Sequence, residues 1–227
     1  MEFLGQVKSS FIDYPGRICA VYFTGGCNFR CPYCHNSHLL EGKGESIDEA
    51  QVFRHLEKRR NVLDGVCISG GEPTLQAHLE PFLEEVKRRG FLVKLDTNGT
   101  VPEVLERLIK NRTVDYIAMD IKAPFWKYNS VVGRKMDTKV IKESILLIRE
   151  APIEYEFRTT VCRELLDAGD IREIADYIKG SQRYILQNFR DCDSVLAGEG
   201  KLTPFSSDEL RQMEEELAGF FAELKTR

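Results

Sequence analysis

The chain has 227 residues, enough for one full hydrophobic core. Hydrophobic residues make up 42% and charged residues 30%, as in soluble globular proteins. The formal net charge of −4 gives no reason to expect a nucleic-acid partner, and the absence of an apolar run of about 18 residues argues against a membrane protein. We expect one domain over 1–227, with a lead-in over 1–17, a core over 18–190 and a C-terminal extension with a helix over 191–227.

The cysteine content and the N-terminus both indicate a reducing compartment inside the cell. The first five residues contain no basic segment and no apolar stretch, so no secretory signal is predicted. Seven cysteines, an odd number, indicate a reducing compartment and metal use instead of a disulfide framework. We therefore expect a cytoplasmic protein.

Short apolar runs alternate with amphipathic stretches along the chain. Strands are predicted over 18–24, 65–69, 91–95, 114–119, 153–159 and 184–186. Helices are predicted over 51–60, 79–89, 102–110, 138–149, 171–179 and 207–224. Ser46 or Asp48 could cap the first helix, and Gly90 ends the second. The last helix is predicted from the spacing of its apolar residues, which are Leu210, Met213, Leu217, Phe220 and Phe221.

Six successive strand–helix units predict an α/β fold, with a parallel sheet and helices outside it. Six units are fewer than the eight of a closed barrel, so the sheet is expected to be open or partly closed. The polar motifs all follow strands, and parallel α/β proteins place their active sites at the carboxyl ends of their strands.

Cys27, Cys31 and Cys34 follow the first predicted strand with the spacing C-x3-C-x2-C. Three thiolates on one loop can hold three irons of a 4Fe–4S cluster, whereas a fully protein-bound cubane has four cysteine ligands. The fourth iron would then be open, and an open coordination position is where a metal centre does chemistry.

Three other interpretations of the cysteines are weaker. Cys31 to His35 fits the haem-attachment pattern C-x-x-C-H, but that pattern leaves Cys27 unexplained. Three cysteines with His35 could bind structural zinc, although zinc ligands usually come from two separated knuckles. Buried cysteines clustered by chance are not expected on a glycine-rich loop. Cys19, Cys67, Cys162 and Cys192 are each interpreted as small buried residues.

Three further motifs follow the next strands. Gly70-Gly71-Glu72-Pro73 could be an ordinary turn, or its glycines could allow close backbone approach to a ligand. Asp96-Thr97-Asn98-Gly99 could be a turn with a helix cap. Asp120 and Lys122 could be a surface ion pair, but side chains at i and i+2 of a strand point the same way, which suits a zwitterionic ligand.

Two single polar residues lie near the carboxyl ends of the last two predicted strands. Arg158 has two alternatives that the sequence leaves open, a salt bridge to a surface glutamate or a place in the site. Gln187 follows the sixth strand.

The cysteine loop, with an aromatic residue before its last cysteine, resembles the radical S-adenosylmethionine (SAM) superfamily. The resemblance implies a partial (β/α)6 barrel with a 4Fe–4S cluster at the carboxyl end of the strands, bound by Cys27, Cys31 and Cys34. It implies that the open iron binds the amino and carboxylate groups of SAM, which the reduced cluster cleaves to methionine and a 5′-deoxyadenosyl radical.

The later motifs resemble the SAM-binding stretches of glycyl-radical-enzyme activases. The resemblance implies contact of the Gly-Gly-Glu motif with the SAM amino group, and of Tyr33 with the adenine through its backbone. Gln187 stands where related activases carry a polar residue, often His, that reaches the ribose. Contacts with the methionine and ribose are implied for Asp96, Thr97, Asp120 and Lys122.

The segment over 10–16, Ser-Phe-Ile-Asp-Tyr-Pro-Gly, and the small size resemble activating proteins of anaerobic ribonucleoside-triphosphate reductase. Such enzymes form a glycyl radical on that partner, with flavodoxin or ferredoxin as electron donor. The alternatives are an activase of a pyruvate formate-lyase type enzyme and a small-molecule enzyme such as 7-carboxy-7-deazaguanine synthase, which usually has an altered cysteine loop. A non-catalytic zinc or iron–sulfur protein would have no reason to carry all three strand-end motifs.

Overall fold

The computed structural model describes residues 1–227. The strands are β1 (Glu2–Phe3), β2 (Gly5–Ser10), β3 (Cys19–Thr24), β4 (Ile47–Asp48), β5 (Gly65–Gly70), β6 (Leu92–Thr97), β7 (Tyr116–Asp120), β8 (Glu154–Val161), β9 (Arg183–Asn188) and β10 (Glu223–Thr226). The helices are α1 (Ser37–Leu40), α2 (Glu49–Lys58), α3 (Leu79–Arg88), α4 (Pro102–Lys110), α5 (Tyr128–Val132), α6 (Lys139–Glu150), α7 (Ala168–Tyr177) and α8 (Ser207–Glu216).

Eight strands form one sheet in the order β10-β9-β8-β7-β6-β5-β3-β2. All neighbours are parallel except β2, which pairs antiparallel with β3. The sheet is not closed, because β2 and β10 are edge strands. The predicted α/β fold with an open parallel sheet is therefore confirmed. β1 and β4 form a separate two-stranded sheet.

The two faces of the large sheet differ in chemistry. One row of paired residues faces the helices and belongs to the main hydrophobic core, namely Tyr22, Ile68, Leu95, Ile117 and Tyr155. The neighbouring row faces away from the helices. It is partly polar and includes Cys67, Lys94 and Tyr116. Alternation along each strand thus gives the sheet an apolar outer face and an inner face that carries charge.

The predicted last helix, over 207–224, is wrong in its second half. The helix ends at Glu216, and Gly219 adopts φ of 81°, which an L residue in a helix does not. Residues Glu223–Thr226 instead form β10, which pairs with β9. Phe221 still packs on the core, with its ring 5.0 Å from that of Tyr184.

The other predicted helices and the six predicted strands are confirmed, with ends that shift by up to three residues. Asp48, not Ser46, caps α2, because its side chain accepts a hydrogen bond from the backbone NH of Gln51. The strands β1, β2, β4 and β10 were not predicted, nor were the short helices α1 and α5. None of the helices is long and apolar enough to cross a bilayer.

Candidate active site

A cavity of about 280 Å³ lies at the carboxyl ends of the parallel strands. Every site residue predicted from the sequence lines it: Cys27, Cys31, Tyr33, Cys34, Gly70, Gly71, Glu72, Asp96, Thr97, Asp120, Lys122, Arg158 and Gln187. The fold brings these residues together because each follows a strand of the same parallel sheet or lies in the carboxyl-terminal half of one.

The cysteine loop leaves the end of β3 and is fixed to its surroundings by backbone hydrogen bonds. The NH of Gly26 donates to Leu39 at 2.9 Å, and the NH of Arg30 donates to Val132 at 2.8 Å. The Arg30 guanidinium also donates to the carbonyl of Cys27 at 2.7 Å. These hydrogen bonds, within the loop and to neighbouring segments, hold the backbone that carries the three thiols.

The three thiols of the loop differ in exposure. Cys31 is buried, whereas Cys27 and Cys34 are partly exposed. Burial raises the pKa of the Cys31 thiol to about 11 and also raises the pKa of Cys27. Lys122 acts in the opposite direction on both thiols, since its positive charge favours the thiolate. Thiols must lose their protons to bind metal, so a bound cation would have to lower these pKa values further.

The donor side chains near the cysteine loop do not form a preassembled site for a single metal ion. No three His, Cys, Asp or Glu side chains are placed so that they could hold one metal ion. His35 is engaged elsewhere, since its Nε2 lies 2.6 Å from the carbonyl of Arg190 and its ring stacks on Phe189. Cys27, Cys31 and Cys34 line one cavity but are not grouped around a single ion. Such an arrangement suits a cluster whose three irons each take one thiolate.

The glycines of the Gly70-Gly71-Glu72 motif are required by contact with the cysteine loop and its strand. Gly70 has φ of 110°, and a Cβ on Gly71 would lie 1.8 Å from the carbonyl oxygen of Gly26. The NH of Glu72 donates to that same carbonyl at 2.8 Å. Only glycine allows this approach, so the motif locks the end of β5 against the cysteine loop.

The Glu72 carboxylate connects the end of β5 with the end of β6. Thr74 donates to it through both NH and hydroxyl, at 3.0 and 2.6 Å, and the Thr97 hydroxyl donates at 2.8 Å. The NH of Asn98 donates at 2.7 Å. Burial raises the pKa of Glu72, and these four hydrogen bonds oppose that rise. The carboxylate is only 1% exposed and acts as an internal brace.

Asp96, at the carboxyl end of β6, accepts contacts from three sides. Lys94 pairs with Oδ1, while the Ser69 hydroxyl donates to Oδ2 at 3.0 Å. The Arg158 guanidinium lies 3.3 Å from Oδ2. Burial raises the pKa of Asp96, but Arg158 and Lys94 outweigh burial and hold this pKa below its usual value.

Asp120 and Lys122 form a partly buried ion pair at 3.0 Å, not a surface pair. The Arg158 Nε donates to the other oxygen of Asp120 at 2.7 Å. Burial raises the pKa of Asp120, yet Arg158 and Lys122 together hold it well below its usual range. Lys122 also lies 5.8 Å from the ring centre of Tyr33, whose buried hydroxyl has no hydrogen-bond partner.

The alternatives for Arg158 can now be separated. Its side chain is 9% exposed and bridges Asp120 and Asp96, with Glu156 3.9 Å away. It therefore lines the cavity, and its carboxylate partners are not surface glutamates. Gln187 lies in β9 and lines both this cavity and a second one of about 830 Å³.

Several residues of the site were missed from the sequence. The Asn98 amide lies 3.8 Å from the Cys27 sulfur and donates to Asn28 at 2.9 Å. Asp13 lines both cavities, because the turn between β2 and β3 reaches the open side of the sheet. Lys94 is buried beneath Asp96, and a lysine inside an apolar strand was the signal that could have revealed it.

The remaining cysteines follow the prediction except for one. Cys19, Cys67 and Cys162 are buried, whereas Cys192 is partly exposed. It lies in a loop that packs on the cysteine loop, where Leu196 donates to the carbonyl of Cys34 at 3.0 Å.

Comparison with known proteins identifies the family. The model of the radical SAM superfamily matches residues 21–178. A Methanocaldococcus jannaschii protein named as a glycyl-radical enzyme activating enzyme is 41% identical over 217 residues, which are 92% of this chain and 88% of the relative. The pyruvate formate-lyase-activating enzyme of Listeria monocytogenes is 35% identical over 136 residues, 53% of this chain and 54% of that enzyme.

Solved structures support the same fold. SuiB of Streptococcus suis, crystallised with S-adenosylmethionine, superimposes with a TM-score of 0.69 at 15% identity, over 91% of this chain. The chain spans about half of SuiB, 49% of its length. From the superfamily match and the relative similar over nearly the whole chain, this protein belongs to the radical SAM superfamily and its glycyl-radical enzyme activating enzymes, with a 4Fe–4S cluster and SAM as cofactors.

Proposed function

We propose that this chain activates anaerobic ribonucleoside-triphosphate reductase by removing a hydrogen atom from a glycine Cα of that enzyme. One observation carries the SAM-cleaving part of this proposal: a single cavity brings the three cysteines together with an array of paired acidic and basic side chains. The choice of partner rests on the segment over 10–16, which resembles activating proteins of that reductase. The cysteines suit a cluster with one open iron, and the charged array suits a zwitterionic cofactor.

We assign the cluster to Cys27, Cys31 and Cys34. Lys122 contributes a positive charge that favours the thiolate forms of Cys27 and Cys31. The Asn98 amide, 3.8 Å from the Cys27 sulfur, is placed to donate to that ligand. Donors to a ligating sulfur tune the potential of an iron–sulfur site.

We assign the SAM site to the strand ends. Asp96, Thr97, Asp120 and Lys122 would hold the methionine and ribose parts. Lys122 is placed to meet the ligand's carboxylate, because an ammonium–carboxylate pair is a charge-assisted hydrogen bond.

The remaining predicted residues complete this assignment. The Glu72 carboxylate already accepts four hydrogen bonds. We therefore propose that the Gly-Gly-Glu motif contacts the SAM amino group through the backbone carbonyls of Gly70 and Gly71. Tyr33 would contact the adenine through its backbone. Arg158 and Gln187 would border the ligand.

When bound, the cluster and SAM would supply a one-electron cleavage: an external electron would split SAM into methionine and a 5′-deoxyadenosyl radical, which would take the hydrogen atom from glycine. The hydrogen ends on 5′-deoxyadenosine and the unpaired electron on the glycine Cα. We propose flavodoxin or ferredoxin as the electron donor. Glycine is a suitable target because no side chain shields its Cα.

The open side of the sheet supports a polypeptide substrate. The edge strands β2 and β10 do not meet, and the second cavity lies between them. It shares Asp13, Gln187 and Arg227 with the main cavity. A segment of a partner protein could therefore reach the cofactor from this side. Free cysteines throughout the chain also suit a protein of the reducing cytoplasm.

A pyruvate formate-lyase type partner is the second candidate, favoured by the 35% identity with the Listeria activating enzyme. A small-molecule reaction like that of 7-carboxy-7-deazaguanine synthase is less well supported, since the C-x3-C-x2-C loop is unaltered.

The cluster is tested first. Anaerobic reconstitution should give about four irons and four sulfides per chain. Cys31→Ala should hold no stable cubane, whereas Cys162→Ala, a buried cysteine outside the cavity, should reconstitute normally. Stoichiometric zinc without iron–sulfur absorbance in the wild type would contradict the assignment.

The partner is tested next. The reconstituted protein, SAM and dithionite are mixed with the anaerobic reductase of the same source, and a glycyl radical doublet should form. Deuterium on the partner's glycine Cα should appear in 5′-deoxyadenosine, and a glycine-to-alanine change in the partner should abolish both signals. A radical on a formate-lyase type enzyme but none on the reductase would replace the named partner and leave the activase assignment intact.

A further inference from the structure

Lys94 is a buried lysine for which the fold gives an unusual setting. It lies on the inner face of β6, two residues before Asp96, and is 2% exposed. In the sheet register it stands between Cys67 of β5 and Tyr116 of β7. Lysine is almost never fully buried without a partner, because desolvation of its ammonium is costly.

The ammonium of Lys94 has one ionic partner, the Oδ1 of Asp96. Its other neighbours are the Cys67 sulfur at 3.8 Å and the Tyr116 ring centre at 5.8 Å. Lys94 does not line the cavity, whereas Asp96 does. Among the residues that line the cavity, Asp96 is therefore the one that Lys94 contacts directly, through its carboxylate.

Arg158 cannot replace Lys94 in this role. Its closest carboxylate contact is with Asp120 at 2.7 Å, and it lies 3.3 Å from Asp96 and 3.9 Å from Glu156. One guanidinium thus serves three carboxylates. The local charges balance only when Lys94 is counted, with Lys94, Lys122 and Arg158 against Asp96, Asp120 and Glu156.

We propose that Lys94 is a positioning residue for SAM: from beneath the cavity it keeps the Asp96 carboxylate ionised and fixed in direction, so that Asp96 can bind the cofactor. This inference rests on the proposed place of Asp96 in the SAM site. Lys94 occupies Oδ1, and the remaining Asp96 contacts, Ser69 and Arg158, are both on Oδ2.

The test compares SAM affinity across variants by anaerobic calorimetric titration of the reconstituted protein. Lys94→Met keeps the side-chain length and removes the charge. We expect it to bind SAM about 10-fold more weakly near pH 7.5, as for loss of one charged contact. Lys87→Met is the matched control, because it breaks a lysine–aspartate pair at 2.6 Å outside the cavity, with Asp115. It should bind SAM like the wild type.

The pH profile separates positioning from a structural role. Without Lys94 the pKa of Asp96 should rise, so the affinity ratio of wild type to Lys94→Met should widen as pH is lowered from 8 to 5.5. Titration of SAM itself cancels in that ratio. The other ionisable groups that face this pair are common to both proteins: Cys19, Cys67, Tyr116, Asp120, Lys122, Glu156 and Arg158. A ratio near one at every pH, or a loss that does not vary with pH, would overturn the proposal.

A double variant covers the case in which Lys94→Met fails to fold. Lys94→Met with Asp96→Asn removes both charges and leaves neither buried alone. It should bind SAM no more weakly than Asp96→Asn does. A clearly weaker double variant would mean that Lys94 acts independently of Asp96, contrary to the proposal. If the wild type itself bound no SAM, the proposed site would fail and this inference with it, whereas normal wild-type binding with unaffected Lys94 variants would overturn the inference alone.

Discussion

Two groups of carboxylates line the same cavity and are satisfied in opposite ways. Glu72 accepts hydrogen bonds from two NH groups and two hydroxyls, all neutral. Asp96 and Asp120 are held mainly by lysine and arginine. Burial raises the pKa of Glu72, while in Asp120 the cations overcome burial and lower it.

This difference separates the support of the cavity from the part that we propose binds SAM. Neutral donors that follow β5 and lie at the end of β6 fix the Glu72 carboxylate in place. A ligand that took over this carboxylate would leave those donors unsatisfied. Ion pairs at β6, β7 and β8 can be exchanged for the charges of a zwitterionic cofactor. We therefore expect changes at Glu72 to affect stability, and changes at the ion pairs to affect SAM binding.

The largest effect is expected from Glu72→Ala. It leaves four buried donors without an acceptor, each of which costs about 1–3 kcal/mol when unmet, and partial relaxation should leave a loss of about 3–5 kcal/mol. Denaturant unfolding measures this loss. Glu57→Ala on the surface of α2 should stay within about 0.5 kcal/mol of the wild type. A Glu72 variant as stable as that control would show that the brace has no energetic role.

Lys122→Ala should affect binding instead of folding. Asp120 keeps the Arg158 contact at 2.7 Å, so it is not left unpaired. SAM affinity should fall roughly 10- to 100-fold, because a charge-assisted hydrogen bond contributes about 1.5–3 kcal/mol. Lys127→Ala, which breaks a pair with Asp170 at 2.6 Å outside the cavity, is the control. Unchanged SAM affinity in a calorimetric titration would remove Lys122 from the site.

The smallest effect is expected in the free energy of unfolding, to which Asp120 and Glu72 should contribute with opposite dependences on pH. Asp120 has a lowered pKa in the folded state, so its contribution to stability is present above about pH 4 and is lost as pH falls. Glu72 has a raised pKa, so its contribution is present below about pH 4.3 and is lost as pH rises through the folded value.

Unfolding free energies measured between pH 3 and 6 distinguish the two carboxylates. The cost of Asp120→Asn should shrink towards acid, while the cost of Glu72→Gln should grow, each by at most about 1.4 kcal/mol per pH unit. Parallel profiles for the two variants would contradict the division between them.

The sequence predicts the parallel strands and the strand-end motifs because strong apolar runs and glycine-rich turns are local signals. The prediction from sequence fails at β2 and β10, which are short strands of mostly polar residues. It also fails at the end of α8, because the apolar spacing of the sequence continues past Gly219, whose backbone is left-handed. The ion-pair network was also beyond prediction. Strand register sets Asp120 beside Arg158, and no single stretch of sequence records which strands are neighbours.

One measurement tests the central claim most directly, that the cavity holds SAM on the open iron of a three-cysteine cluster. The reduced, reconstituted protein is mixed with SAM labelled with ¹⁵N at the amino group and ¹⁷O at the carboxylate, and electron–nuclear double resonance spectra are recorded. Both labels should couple to the cluster in the wild type, and the couplings should be clearly weaker in Lys122→Ala at a SAM concentration that just saturates the wild type. An intact reduced cluster that shows neither coupling in the wild type, at saturating SAM, would contradict the account.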